Sequence, residues 1–204
     1  MSGDYECWTI NGHTLEYLDD SHCYVVDGIM VPSVTQVLKF KFGNKYSAVD
    51  KETLTRAAEA GTAVHECIER WCKYGEESDL PELRNFKFLQ SQYKFEVLKN
   101  EVPVILFGLT LPICAGRLDM VMATDDGLAI ADIKRTSTLD KEYLALQLNM
   151  YAIAYQQCYG GKIEALKGLH LRGDTRKFVN IPLNEQKTWD FINEVLKGEE
   201  NGDL

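Results

Sequence analysis

Gly127-Leu128-Ala129-Ile130-Ala131-Asp132-Ile133-Lys134 is a run of small and branched apolar residues that ends on two charges. The apolar part reads as a strand buried on both faces, the kind that a sheet covered by helices on each side contains. Such a strand accepts an acid and a lysine only where they are paired, hydrogen-bonded or metal-bound. An acid-x-Lys tripeptide is common on its own, and Glu185-Gln186-Lys187 is a second copy. That copy follows Asn184, a helix cap, where the helix dipole favours an acid. The strand context singles out the first copy.

Immediately upstream, Thr124-Asp125-Asp126-Gly127 is a hairpin signal that joins this strand to one carrying Asp119. The turn is Asp125-Asp126 or Asp126-Gly127. With either two-residue turn, alternation puts Asp119, Asp132 and Lys134 on one sheet face. Two carboxylates and an ammonium on one buried face make a divalent-cation site with a positioned lysine.

Reading outward, strands are expected at about 102–109, 113–123 and 128–134. Helices precede them at about 51–74, where Val64, Ile68 and Trp71 recur, and at about 82–99, where Phe86, Leu89, Tyr93 and Val97 share a stripe. A helix at about 140–159, apolar on almost every side, is expected to lie buried against the sheet. Strands at 165–172 and 178–182 and a helix at 185–197 complete the order. This is an α/β class with a mixed central β-sheet flanked by helices. The first 50 residues form an extension of short strands broken at Asn11-Gly12, Asp19-Asp20 and Asp27-Gly28. A short helix capped by Ser33 follows, and then a basic, aromatic stretch, 39–46, read as a loop. A chain of 204 residues without repeats or a low-complexity linker reads as one domain over 1–204.

Composition removes several classes. Hydrophobic residues make up 45% and charged residues 26%, which excludes disorder and collagen-like repeats. Every apolar run is interrupted by charge or Gly short of a membrane span. The first six residues carry neither a secretory nor a transit pattern, so a cytoplasmic protein is expected. The net charge is −9, and six acids against two bases in residues 185–204 account for −4 of it. A basic nucleic-acid binder is thereby excluded, but a metal-dependent nucleic-acid enzyme is not, since its carboxylates await cations. The six cysteines, at 7, 23, 67, 72, 114 and 158, lack metal spacing and read as reduced core thiols, with no iron–sulfur cluster expected.

Further candidates sit on either side of the central strands. Gly61, His65 and Glu69 share a helical face; a helical histidine is either a satisfied ring or a ligand. Glu69 fits a surface charge paired with Lys73. Glu101 is a boundary charge between helix and strand, or a ligand. Gln147 and Tyr151 fall on one face of the apolar helix, as buried groups with satisfied hydrogen bonds or as site residues. Lys39, Lys41 and Lys45 alternate with Phe40, Phe42 and Tyr46. They either grip unpaired nucleic acid or are solvated lysines over packed rings. Arg135, next along the chain from Lys134, is a further candidate substrate contact.

In their order these pieces resemble the PD-(D/E)XK nuclease superfamily, in particular its RecB-like exonuclease branch. The matching residues are Gly61 and His65, Glu101, Gly116-Arg117-Leu118-Asp119, Asp132-Ile133-Lys134, and Gln147 with Tyr151. Val31-Pro32-Ser33-Val34-Thr35 looks like the phage-type and mitochondrial genome-maintenance members of that branch. The resemblance implies a restriction-endonuclease-like core and hydrolysis of DNA with Mg²⁺ or Mn²⁺. The ligands would be Asp119, Asp132, the Ile133 carbonyl, His65 and Glu101, and Lys134 would orient the attacking water. Gln147 and Tyr151 would steady the site and touch the DNA backbone. Implied partners are single-stranded DNA or duplex ends and a recombination or single-strand-binding protein. Three other readings share the residues: a structure-specific endonuclease, a non-catalytic nucleic-acid-binding subunit, and an acidic interaction protein.

Overall fold

The structure, a computed structural model, describes residues 5–18, 23–43 and 49–200. The break expected at Asp19-Asp20, and Lys45 and Tyr46, lie outside the described residues.

The chain opens with an antiparallel four-stranded sheet, β1 (Tyr5–Ile10), β2 (His13–Leu18), β3 (Cys23–Val26) and β4 (Ile29–Val31). Its described turns are Asn11-Gly12 and Asp27-Gly28, with φ positive at both residues of each, the geometry that matches a hairpin's twist. Helix α1 (Val34–Phe42) follows, started by a reciprocal cap in which the Ser33 Oγ accepts from Gln36 N–H and Gln36 Oε1 accepts from Ser33 N–H. Helix α2 (Lys51–Tyr74) is capped by Asp50 and stopped by Gly75 at φ +67°. Helix α3 (Pro81–Tyr93) has proline in its first turn, where no N–H is missed.

The second sheet holds β5 (Glu96–Phe107), β6 (Pro112–Thr124), β7 (Gly127–Lys134), β8 (Ala165–Arg172) and β9 (Thr175–Ile181), neighbours in that order. It is mixed. β5, β6 and β7 form a meander, β8 runs parallel to β7 after helix α4 (Lys141–Tyr159) crosses over, and β9 returns antiparallel. Helix α5 (Glu185–Glu200) ends the described chain, with Asn184 Oδ1 accepting from Lys187 N–H. Thr124 pairs with Gly127, so the turn is Asp125-Asp126, one of the two expected.

Two cores cover the two faces of this sheet. On one side α1, α4, α5 and the first sheet pack around Val104, Leu118, Ile130 and Leu144. On the other, α2 and α3 bring Val64, Ile68 and Phe86 against Met120, Ala131, Ile133 and Leu169. Close approach of α4 depends on Gly168, where a Cβ would stand 2.6 Å from Leu144 Cδ2. The first sheet is tied on by a bridge between Ser33 and Ala115, with Ala115 N–H donating to Pro32 O at 3.1 Å. Among the described residues no helix is long and apolar enough to cross a membrane.

Three expectations need correction. The helix expected at 82–99 ends at Tyr93, because Lys94 takes a left-handed conformation and Phe95 turns inward to meet Phe86 edge-on. Val97 is therefore a strand residue, and Glu101 sits well inside β5 instead of at a helix–strand boundary. Lys39 and Lys41, placed in a loop, are helical. The Ser33 cap starts α1, nothing breaks it before Gly43, and Phe42 packs edge-on against Tyr143 at 5.4 Å. The cysteines are all free, but only Cys114 and Cys158 are buried, and Cys7 is exposed on a strand of the first sheet.

A buried carboxylate locks α3 to the end of the sheet. Glu82 Oε1 accepts from Arg135 Nε and from Gly173 N–H, each at 3.0 Å, while Asn85 Nδ2 donates to Gly173 O at 2.6 Å. Burial opposes the Glu82 charge, but the Gly173 N–H and the Arg135 guanidinium outweigh it and hold the carboxyl below its ordinary value of 4.5. A carboxyl lowered on folding stabilises fully above that ordinary value and loses its contribution as the pH falls through the folded one. Glu82→Gln is expected to cost about 1–2 kcal/mol near neutral pH by urea unfolding. The gap to the parent protein should close as the pH drops below 4.5.

Candidate functional site

The ladder between β6 and β7 ends at Met120–Ala131, one pair short of Asp119 and Asp132. Alternation alone therefore does not place Asp119. The strands part, and the Asp119 carboxylate enters the gap, Oδ2 accepting from Ile133 N–H at 2.6 Å. The pleat of β6 changes at this point, with Leu118 in one core and Met120 in the other. On β5 the same interruption falls at Glu101, between the pairs Asn100–Met120 and Val102–Leu118. Glu101 has φ +49°, a conformation that a side chain with a Cβ rarely adopts, and such strain persists where surroundings impose it.

His65 reaches this gap from α2, whose buried Val64 and Ile68 fix which face of the helix meets the sheet. Its Nε2 lies 3.1 Å from Ile133 O, so Nε2 carries the proton. Nδ1 is thereby turned to the acids, 3.6 Å from Asp119 Oδ2 and 4.0 Å from Glu101 Oε1. One ligand atom each from His65, Glu101 and Asp119 lies within 4.8 Å of the others. His65 and Glu101 line an open cleft of about 530 Å³ with Gly61, Glu69 and Arg117.

Beside this trio is a buried ion pair. Lys134 Nζ stands 2.7 Å from Asp132 Oδ2 and donates to Gln147 Oε1 at 2.8 Å. Its approach to Asp132 is too oblique for a hydrogen bond, so Asp132 Oδ2 is buried with charge nearby but no donor aligned on it. Gln147 and Tyr151 are both buried on α4. Tyr151 fills the space that Gly116 leaves, where a Cβ would lie 3.0 Å from its ring. Lys134 also lines a more closed cavity of about 280 Å³ with Lys39, Phe42 and Tyr143.

Electrostatics follow from crowding. Burial and the neighbouring Asp119 raise the Glu101 carboxyl to about 7 against the pull of Arg117 and His65. Burial also raises Asp132, against the attraction of Lys134. Burial would lower both His65 and Lys134, but the surrounding carboxylates prevail and raise both. Lys134 and Arg117 offset only part of the negative charge gathered here, and a divalent cation would supply the rest. Oxygen donors with one imidazole suit Mg²⁺ or Mn²⁺, so the donor set fits the expected ion.

The structure thus brings together His65, Glu101, Asp119 and the Ile133 carbonyl, and sets Asp132 with Lys134 and Gln147 next to them. Of the other candidates Lys39 reaches only the cavity beside Lys134, and Lys41 and Arg135 are held elsewhere. Lys41 pairs with Glu142 at 2.7 Å, and Arg135 is held by Glu82. Glu69 pairs with Lys73 at 2.5 Å, as its spacing implies. Arg117 was passed over as a site residue, although it stands in the Gly116–Asp119 motif. It joins Glu101 Oε2 at 3.1 Å to Glu6 Oε1 at 2.9 Å, and its partner on β1 is beyond the reach of any local pattern.

No protein-family model and no curated protein matches the chain. A solved structure titled "Crystal structure of SSO0001" superposes with a TM-score of 0.46 at 15% identity, over 82% of this chain and 75% of that one, a likeness that carries no argument.

The raised Glu101 has a consequence for stability. Its folded form binds a proton more tightly than the unfolded chain, so stability falls as the pH climbs from 4.5 to about 7. In EDTA, Glu101→Gln is expected to be more stable than the parent at pH 8, by on the order of 2–3 kcal/mol, and equal to it near pH 4. Urea unfolding at the two pH values checks this.

Proposed function

We propose that the protein is a Mg²⁺- or Mn²⁺-dependent deoxyribonuclease of the PD-(D/E)XK type, with a restriction-endonuclease-like core, acting at single-stranded or processed DNA ends. The observation that supports it is the meeting of His65, Glu101 and Asp119 beside the Asp132–Lys134 pair. A metal-only binding protein has no use for a buried lysine held by an amide. The sheet also supports the reading, since the site grows from a parted seam between strands and not from a loop.

The residues divide the work by their chemistry. A divalent cation on Asp119, Glu101 and His65 would acidify a bound water and offset charge on a phosphate oxygen. Asp119 is pinned by the Ile133 amide, so one of its oxygens cannot swing away. His65 is oriented by the Ile133 carbonyl with Nδ1 toward the carboxylates. Lys134 is an ammonium at neutral pH, because Asp132 and Asp119 raise it despite burial. It would therefore orient the attacking water and donate to a phosphate oxygen on which negative charge develops, and would not remove a proton. Gln147 holds it at that angle, and buried Gln147 and Tyr151 act on the site from behind rather than on the DNA backbone.

Cleavage of end-labelled linear strands is expected with Mg²⁺ or Mn²⁺ and absent in EDTA, while closed single-stranded circles persist. Activity that survives EDTA overturns the proposal, and equal cutting of circles makes the enzyme an endonuclease. Lys134→Ala should lower the rate about 10²–10³-fold. Metal should still stabilise that variant, by about 2.7 kcal/mol at a hundred times Kd. Asp119→Ala should lose both cleavage and stabilisation by metal. A Lys134→Ala enzyme that cuts at the parent rate means the lysine has no part in the chemistry.

A further inference from the structure

The seven arginines fall into two groups. Arg56, Arg70, Arg117 and Arg135 each meet a carboxylate. Arg84, Arg172 and Arg176 have no carboxylate partner among the described residues, and all three belong to α3 or the β8–β9 hairpin. In a chain of net charge −9 such a grouping makes a local positive patch that can receive an anion. Hairpin residues 172–177 hold one acid, Asp174, against Arg172, Arg176 and Lys177.

Two of these cations, Arg176 and Lys177, line a groove. Between α3 and the edge strand β9 lies an open cleft of about 440 Å³, lined by Phe88, Leu89, Tyr93 and Phe178 among others. The Arg176 guanidinium stands over the Phe88 ring at 3.8 Å, and Arg84 lies one turn before Phe88 on the same exposed face of α3. Tyr93 stacks on Phe178 at 4.4 Å, yet Tyr93 and Phe88 are still 42% and 44% exposed. Arginines beside part-exposed rings suit unpaired nucleotides, because each nucleotide brings a phosphate charge and a π-face.

The groove lies at the far edge of the sheet from the cleft that His65 and Glu101 line. Lys134 is in register with His170, and His170 with Lys177, so the backbones of β7 and β9 are two strand spacings, about 10 Å, apart at that level. Glu82 fixes the separation, since one oxygen holds both Arg135 and the Gly173 amide of the hairpin. We infer that the α3–β9 groove binds single-stranded DNA beyond the cleavage site, with phosphates on Arg84 and Arg176 and bases on Phe88 and Tyr93. This rests on the nuclease reading, and it moves strand binding from Lys39 and Lys41 to the opposite face of the sheet.

The test measures binding of a fluorescent oligo-dT of about 20 nucleotides in Ca²⁺, by anisotropy over a range of salt. Arg84→Ala with Arg176→Ala should weaken binding at least about tenfold and reduce the slope of log affinity against log salt by about 1.4, two phosphates' worth. Both side chains are on the surface, and an unchanged melting temperature confirms the fold. Tyr93→Ala should weaken binding while leaving the slope intact, since stacking releases no counterions. Equal affinity and slope in the double variant overturn the inference. So does an acidic peptide that binds through Arg84 and Arg176 while the oligonucleotide ignores them, which would make the groove a strand-addition site for a protein. Hydrolysis in Mn²⁺ is read separately on the parent protein. Binding that depends on the two arginines without any hydrolysis keeps the groove and rejects the nuclease.

Discussion

The Asp119 carboxylate on the Ile133 amide is the contact from which the site grows. A β-ladder has no room for a functional group between its strands, because each N–H and C=O is taken by the neighbouring chain. By accepting the Ile133 N–H at 2.6 Å, Asp119 replaces a backbone acceptor with a charged one and lets β6 and β7 part without leaving that donor unpaired. Parting frees the Ile133 carbonyl for His65. The strain at Glu101 belongs to the same adjustment, on the strand facing Asp119 from the other side.

Around that opening the protein balances charge it cannot hydrate. Three carboxylates, one imidazole and one ammonium sit partly or wholly out of water. Arg117 and Lys134 compensate only some of the negative charge, which is why Glu101 keeps its proton up to about 7. A cation relieves this crowding directly, and a rigid surround keeps the ligands from moving apart instead. The surround is visible in each direction. Gly116 admits the Tyr151 ring, Gln147 holds Lys134, and the Arg117–Glu6 pair reaches into the first sheet. The N-terminal strands thereby act on the site, although no ligand comes from them.

Legibility differed from residue to residue for physical reasons. The strand 127–134, the apolar α4 and the 51–74 helix are legible because period and capping are local properties. The Asp132–Lys134 pair stands out because buried charge breaks an apolar run. Phe86, Leu89, Tyr93 and Val97 mislead, because a strand beginning just past a left-handed residue continues a helical spacing by coincidence. Lys39 and Lys41 look like a basic loop until the Gln36–Ser33 cap is seen to start a helix through them.

By itself the sequence determined the class of the chain, the order of its elements, the hairpin that joins β6 to β7, and that Asp132 and Lys134 share one face of a buried strand. Those are consequences of alternation, turn chemistry and the cost of buried charge, all of which act within a few residues. Only the tertiary structure decided that Asp119 enters a parted seam, that Glu101 belongs to a strand interior, and that Asp132 attends the lysine while His65 and Glu101 join Asp119. It also decided which cations are free. Whether an arginine finds a carboxylate depends on residues up to 111 positions away, as with Arg117 and Glu6, and no local pattern carries that information.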